Sequence, residues 1–331
     1  MRLSFHLTLS TLLSLSLFAC APDEGTDEPT DSDTADLKIG KKYLALGDSI
    51  PFGFDPVHAS TTPTQISKFV GYPELVNLVG VRSVNAGCPG ETTGSFLDAS
   101  APDNGCHGWK ASGAALHVDY NGAPTQFAYA LDFLAANKTK TATVSIQLGA
   151  NDLFLLQNSC TASAPTPEAV GACIVASGGT KTPVECGTEL VTACIGAGAP
   201  AVIGQTAQNI GIIIGGIRQT GYTGQVVVAT YYALNYANPA DPNLQLIYAL
   251  DQALVQVAQA TGSHVAKGFS TFGAASARAG GDSGLAGLRY KLPDGTYDFH
   301  PSRTGQILLA AAVAAAVPAS SIDLSAPNPK F

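Results

Sequence analysis

Charge is scarce in this chain. Lys, Arg, Asp and Glu make up 13% of its 331 residues, and the longest basic run is the pair Lys41-Lys42. Without a basic stripe there is no electrostatic footprint for nucleic acid, and none is expected as a partner. No Cys-x-x-Cys and no His-x-x-x-His spacing occurs, which removes the common zinc frameworks and leaves no metal site to expect. Tryptophan appears once, as Trp109, too little for an aromatic platform on which sugar chains stack. There is no Gly-x-Ser-x-Gly elbow, so the α/β-hydrolase pattern is absent. What the chain does have is apolar material, 46% of its residues, enough for a sizeable core in one large domain or two small ones.

The formal charge of −8 is uneven. Seven acidic residues lie between Ala21 and Leu37 with no basic one among them, and from Lys38 onward 18 acidic residues meet 16 basic ones. The body is thus nearly neutral and the acidity belongs to a tail. Residues 1–20 read as an export signal: Arg2 gives a positive start, and Phe5–Phe18 is uncharged and Leu-rich but short of the roughly 20 residues a membrane span needs. The run ends Leu17-Phe18-Ala19-Cys20, similar to a bacterial lipobox, with Cys20 as the residue to be lipidated. Residues 21–40, rich in Asp, Glu, Thr, Pro and Ser, cannot bury a core and read as a disordered acidic tether. An exported envelope lipoprotein, or a secreted form, is expected, touching the membrane through its anchor only and otherwise monomeric. Setting Cys20 aside leaves six cysteines, an even number that fits up to three disulfides in an exported chain.

Strand and helix patterns alternate through residues 41–331. Strands are expected at Lys42–Leu46, Val81–Val84, Thr143–Leu148, Gln225–Tyr232 and His264–Gly268. Helices are expected at Thr125–Asn137, Ala201–Thr220, Asn243–Thr261 and Thr304–Val317. This is the rhythm of a three-layer α/β/α sandwich around a parallel sheet of about five strands, with ligands bound at the carboxyl ends of the strands. Residues 158–200, Gly/Ala/Thr-rich and carrying four cysteines, break the rhythm and read as a disulfide-stapled insertion.

The chemistry gathers at strand ends. Tyr43-Leu44-Ala45-Leu46-Gly47-Asp48-Ser49-Ile50 runs a buried strand into a glycine turn that presents a serine hydroxyl, the support a nucleophile needs. A second Gly-Asp-Ser, at Gly281-Asp282-Ser283, sits in a Gly/Ala loop with no strand before it and is set aside. Asn85-Ala86-Gly87-Cys88-Pro89-Gly90-Glu91-Thr92 follows the second strand. Leu148-Gly149-Ala150-Asn151-Asp152 follows the third. Asp298-Phe299-His300-Pro301 precedes the last helix. Asp48 and Asp152 read as turn-fixing or capping residues, and His58, His107, His117 and His264 as surface or core residues.

These four blocks, in this order from about Lys42 to Val317, resemble those of the SGNH/GDSL hydrolases. The resemblance implies a flavodoxin-like sheet of order 2-1-3-4-5 and an esterase or lipase that needs no cofactor. Its substrate would be a small-molecule or lipid ester. Ser49 matches the nucleophile, and its own N–H one oxyanion donor. Gly90 matches the second donor, with Gly87 the alternative if the register slips, and Asn151 matches the third. His300 matches the general base. The acid departs from the family's commonest pattern, in which an aspartate stands three residues before the histidine; Tyr297 stands there in this chain. Asp298 is the preferred acid, Asp294 the second choice, and a backbone carbonyl a third. A polysaccharide O-deacetylase would use the same machinery, and an inactive lipid-anchored binding protein is the reading from another class. Cys88 and Cys106 lie in one strand-to-helix connection and are paired on that ground. The other four cysteines allow three connectivities, of which the resemblance favours Cys160–Cys194 with Cys173–Cys186 nested inside.

Overall fold

The computed structural model describes residues 40–61, 65–76 and 81–317. The leader, Cys20 and all but the last residue of the tether lie outside these. β1 (Lys41–Gly47), β2 (Val81–Asn85), β3 (Thr141–Gln147), β4 (Gln225–Ala229) and β5 (His264–Ala266) form one parallel sheet of order β2-β1-β3-β4-β5. β1 is flanked by β2 and β3, and Tyr43, Leu44, Ala45 and Leu46 are all buried, the continuous apolar run of a strand covered on both faces. β3 carries Thr143, Ser145 and Gln147 just as deeply. Two of these polar side chains are matched: the Ser145 hydroxyl pairs with the Tyr43 hydroxyl at 2.7 Å, and Gln147 Nε2 donates to the Thr230 carbonyl at 3.1 Å.

The helices that matter to the site are α1 (Ser49–Phe52), α2 (Gln126–Asn137), α3 (Ala150–Ala162), α4 (Pro167–Ala176), α5 (Pro183–Gln219), α6 (Pro242–Ala260) and α7 (Arg303–Ala316). One group gathers around α5, which packs against α2, α3, α4 and α6; α7 packs on β5 and on the short helices Tyr72–Leu75 and Gly268–Ser276. The result is the expected three-layer arrangement. A separate antiparallel hairpin, β6 (Arg289–Lys291) with β7 (Tyr297–Pro301), precedes α7.

Three expectations need correction. β4 stops at Ala229, not Tyr232: its pairing with β5 ends at Ala266, and the chain turns away, carrying Tyr231 to Asp48. β5 likewise ends at Ala266. The third concerns the helix expected to begin near Ala201. It begins at Pro183, where Thr182 and Glu185 form a capping box with proline at the first position, a standard helix start. Pro200 sits inside the helix, where it removes one hydrogen bond and crowds the carbonyl four residues before it. Residues 158–200 are therefore helical, not irregular: the end of α3, then α4, then the first half of α5. The three disulfides are Cys88–Cys106, Cys160–Cys194 and Cys173–Cys186. Such bridges persist in an oxidising compartment, which fits an exported chain.

Candidate active site

Everything at the site hangs on the end of β1. Gly47 has φ of +146°, and a Cβ there would lie 2.2 Å from the Gln147 carbonyl of β3, so only glycine closes this turn. Gln126, the first residue of α2, clamps it. Its Oε1 accepts from the Gly47 N–H at 2.6 Å and its Nε2 donates to the Gly47 carbonyl at 2.9 Å. Asp48 then caps α1 by accepting from the Ile50 N–H at 2.9 Å, and Ser49 is the first residue of that helix. Gln306 of α7 holds the other side, donating to the Ile50 carbonyl at 3.0 Å.

The hairpin brings the base. His300 Nε2 lies 3.0 Å from Ser49 Oγ, across 251 residues of sequence. Its Nδ1 lies 2.6 Å from Asp298 Oδ1, which also accepts from the His300 N–H at 2.8 Å. The two-residue spacing works because both residues are in β7, where side chains two apart share a face. Asp294 is elsewhere: it is exposed and spends Oδ1 on the N–H and hydroxyl of Thr296. Phe54 and Phe299 flank the imidazole, with ring centroids at 4.6 and 4.2 Å. Arg289 donates to the Asp298 carbonyl at 3.3 Å. Burial would raise the Asp298 carboxyl, but the hydrogen bonds and charge of His300, aided by Arg289, outweigh it and hold it below its ordinary value.

Of the residues expected as oxyanion donors, Asn151 lines the same pocket as Ser49. No acceptor among the described residues takes the Ser49 or the Gly90 N–H. Gly90 has φ of +84° in a turn closed by the Asn104 N–H on its carbonyl at 2.8 Å. The residues beside that turn touch Asn151: Asn104 donates to its Oδ1 at 2.9 Å, and its Nδ2 donates to the Glu91 carbonyl at 3.0 Å. The Gly87 N–H is spent on Asn85 Oδ1 at 3.0 Å, which removes that alternative. The second Gly-Asp-Ser is structural. Ser283 is fully buried and donates to the Leu234 carbonyl at 2.8 Å, while Asp282 accepts from the Gly284 and Leu285 N–H groups.

Sequence reading missed the positioning residues. The Tyr231 hydroxyl donates to Asp48 Oδ2 in a short hydrogen bond, and neither Gln126 nor Asn104 carries a motif. Burial raises the Asp48 carboxyl to about 7, against the pull of that tyrosine. Asp152 accepts from the N–H and hydroxyl of Thr93 at 3.0 and 2.6 Å. Two groups have metal-like proximity among the described residues, Cys88/Glu91/Cys106 and Cys173/Cys186/Glu189, but the cysteines of each are joined in a disulfide and offer no thiolate.

Ser49 opens into a pocket of about 410 Å³, walled by α3, the start of α6, the loop after β4 and one turn of α5. Its surface is largely side chains such as Leu153, Phe154, Ile195, Leu246, Ile247 and Phe299.

No protein-family model matches the sequence, and no curated protein matches it. Solved structures do. A phospholipase A1 of Streptomyces albidoflavus aligns at TM-score 0.52 with 15% identity over 84% of this chain and all of that one. An extracellular lipase of Streptomyces rimosus aligns at 0.48 with 19% identity over 84% of this chain and all of its own. An acetylxylan esterase of Geobacillus stearothermophilus aligns at 0.42 with 15% identity over 87% and 97%. At these identities the likeness is one of fold, and the fold is that of the SGNH hydrolases.

Proposed function

We propose that this protein is a serine hydrolase that cleaves carboxylic esters through an acyl-enzyme on Ser49. The observation that carries the reading is the unbroken line from Ser49 Oγ through His300 to Asp298, with links of 3.0 and 2.6 Å. Ser49 attacks the ester carbonyl as His300 Nε2 takes its proton. The carbonyl oxygen, now negative, meets the N–H groups of Ser49 and Gly90 and the amide of Asn151, donors aimed before charge develops. The tetrahedral intermediate collapses, the ester C–O bond breaks, and the alcohol leaves with the proton from His300. Water then attacks the acyl-enzyme, with His300 again taking and returning a proton, and the carboxylic acid departs. Asp298 fixes the imidazole tautomer and stabilises its charged form.

The protein would do this outside the cytoplasm. The three disulfides support export, and the Leu-rich leader with Cys20 supports a lipid-anchored form held off the membrane by the acidic tether. Metabolic labelling with a radioactive fatty acid tests the anchor: incorporation should vanish in Cys20→Ala.

A fluorophosphonate probe tests the enzyme. Ser49 should be labelled, and Ser49→Ala and His300→Ala should each remove ester hydrolysis while keeping the wild-type circular dichroism. Labelling at Ser283, or full activity in Ser49→Ala, would overturn the reading.

A further inference from the structure

We infer that the pocket beside Ser49 takes a medium-to-long acyl chain, and that the cystine-held turn of α5 bearing Ile195 sets the chain length. The inference rests on the ester-hydrolase reading and names its substrate class. The pocket of about 410 Å³ is far too large for acetyl. A methyl or methylene fills roughly the volume of one water, about 30 Å³, so on the order of ten such groups fit. The lining is mostly apolar, with Gln157, Asn235, Asp241 and Asn243 among its polar members. Tyr231 and Tyr232 present rings, because their hydroxyls are spent on Asp48 and on the Phe299 carbonyl. Trp109, which a sugar-binding site would want free, packs against Phe52, Phe54 and Phe69.

The wall at Ile195 has an unusual support. In the first half of α5, from Pro183 to Ala199, only Cys186 and Ala199 are buried, so tertiary packing holds this stretch weakly. Two features fasten it to α3, which supplies Phe154 and Gln157 to the same pocket. One is the Cys160–Cys194 bridge, adjacent to Ile195. The other is the close approach at Gly198, where a Cβ would lie 2.6 Å from Leu156. Opening the bridge frees the wall, and a long chain loses its grip while an acetyl group, which never reaches it, does not.

The experiment is a series of p-nitrophenyl esters from acetate to decanoate. For the wild type, kcat/KM should rise by up to about fourfold per added methylene and exceed the acetate value at least about a hundredfold by octanoate. In Cys160→Ser/Cys194→Ser the octanoate-to-acetate ratio should fall at least about tenfold. Ile195→Asp, at a half-buried position, should lower it similarly and decides alone if the double variant does not fold. Val184→Asp, exposed on the same helix outside the pocket, should keep the wild-type ratio. A wild type that prefers acetate overturns the inference and leaves an acetyl esterase; both pocket-side variants keeping the wild-type ratio overturns the role given to the α5 turn. A wild type that cleaves no ester and takes no fluorophosphonate label at Ser49 instead overturns the reading beneath it.

Discussion

Asp298 and His300 differ by two in number, and on a helix or an open loop that spacing would part them; on β7 it joins them. An amide at Asp298 carries no charge to stabilise the imidazolium and can turn its NH2 toward Nδ1, which fixes the wrong tautomer, so Asp298→Asn should lower kcat by about 10²–10⁴-fold. Asp294→Asn should leave kcat within about twofold, because its carboxylate serves only Thr296 and an amide oxygen still accepts those bonds. Equal losses in the two variants, measured under saturating ester, would remove Asp298 from its role. Asn151→Ala should slow turnover by about 10²–10³-fold, as loss of one oxyanion donor does; an unchanged kcat would exclude it. Ser49, Asn151 and His300 were legible because each stands in a block with fixed order and a strand or helix beside it. Tyr231 and Gln126 were not. Each acts through contacts made across 183 or 79 residues, and nothing local marks a tyrosine or glutamine that finds its partner only on folding.

At the scale of elements, the five strands were readable from their apolar runs, and their order came with the family resemblance. The β6–β7 hairpin was not readable, because its strands are short and largely polar. The early start of α5 could have been read from Thr182-Pro183-x-Glu185, a complete start signal, but the Gly/Ala content argued for loop. The Cys88–Cys106 bridge belongs to this scale as well. It closes a loop of 18 residues' separation that contains Gly90 and Asn104, so Cys88→Ser/Cys106→Ser should lose about 3 kcal/mol of stability and also turnover. Urea unfolding alongside kinetics separates the two effects: a variant that is destabilised yet keeps full kcat would show the bridge does not brace the oxyanion turn.

The molecule as a whole carries several acids raised by burial. Burial raises Asp48, Glu74 and Glu91 each to about 7, from ordinary values of 3.8, 4.5 and 4.5, and Asp152 upward as well. Between the ordinary values and about 7 the folded state therefore binds more protons than the unfolded chain. The stability these groups confer is complete below about pH 4 and is lost as pH rises through 7. Asp98, Glu185, Asp282, Asp294 and Asp298 are lowered and run the opposite way, but their contribution is complete above their ordinary values near 4 and is flat between pH 5 and pH 8; His117, lowered by burial, opposes the trend only below its ordinary 6.5. The melting temperature should thus fall between pH 5 and pH 8, and Glu91→Gln, which retains an acceptor for Ser95, should flatten that slope. A melting temperature that climbs across this interval would contradict the burial argument. Ser49 follows the first strand and His300 precedes the last helix, so a ribosome releases the nucleophile some 250 residues before its base. At about 5–20 residues per second, the nascent chain passes many seconds as a serine without a proton acceptor. Hydrolysis requires the closing hairpin to be docked, and regained turnover on refolding is accordingly a readout of that docking.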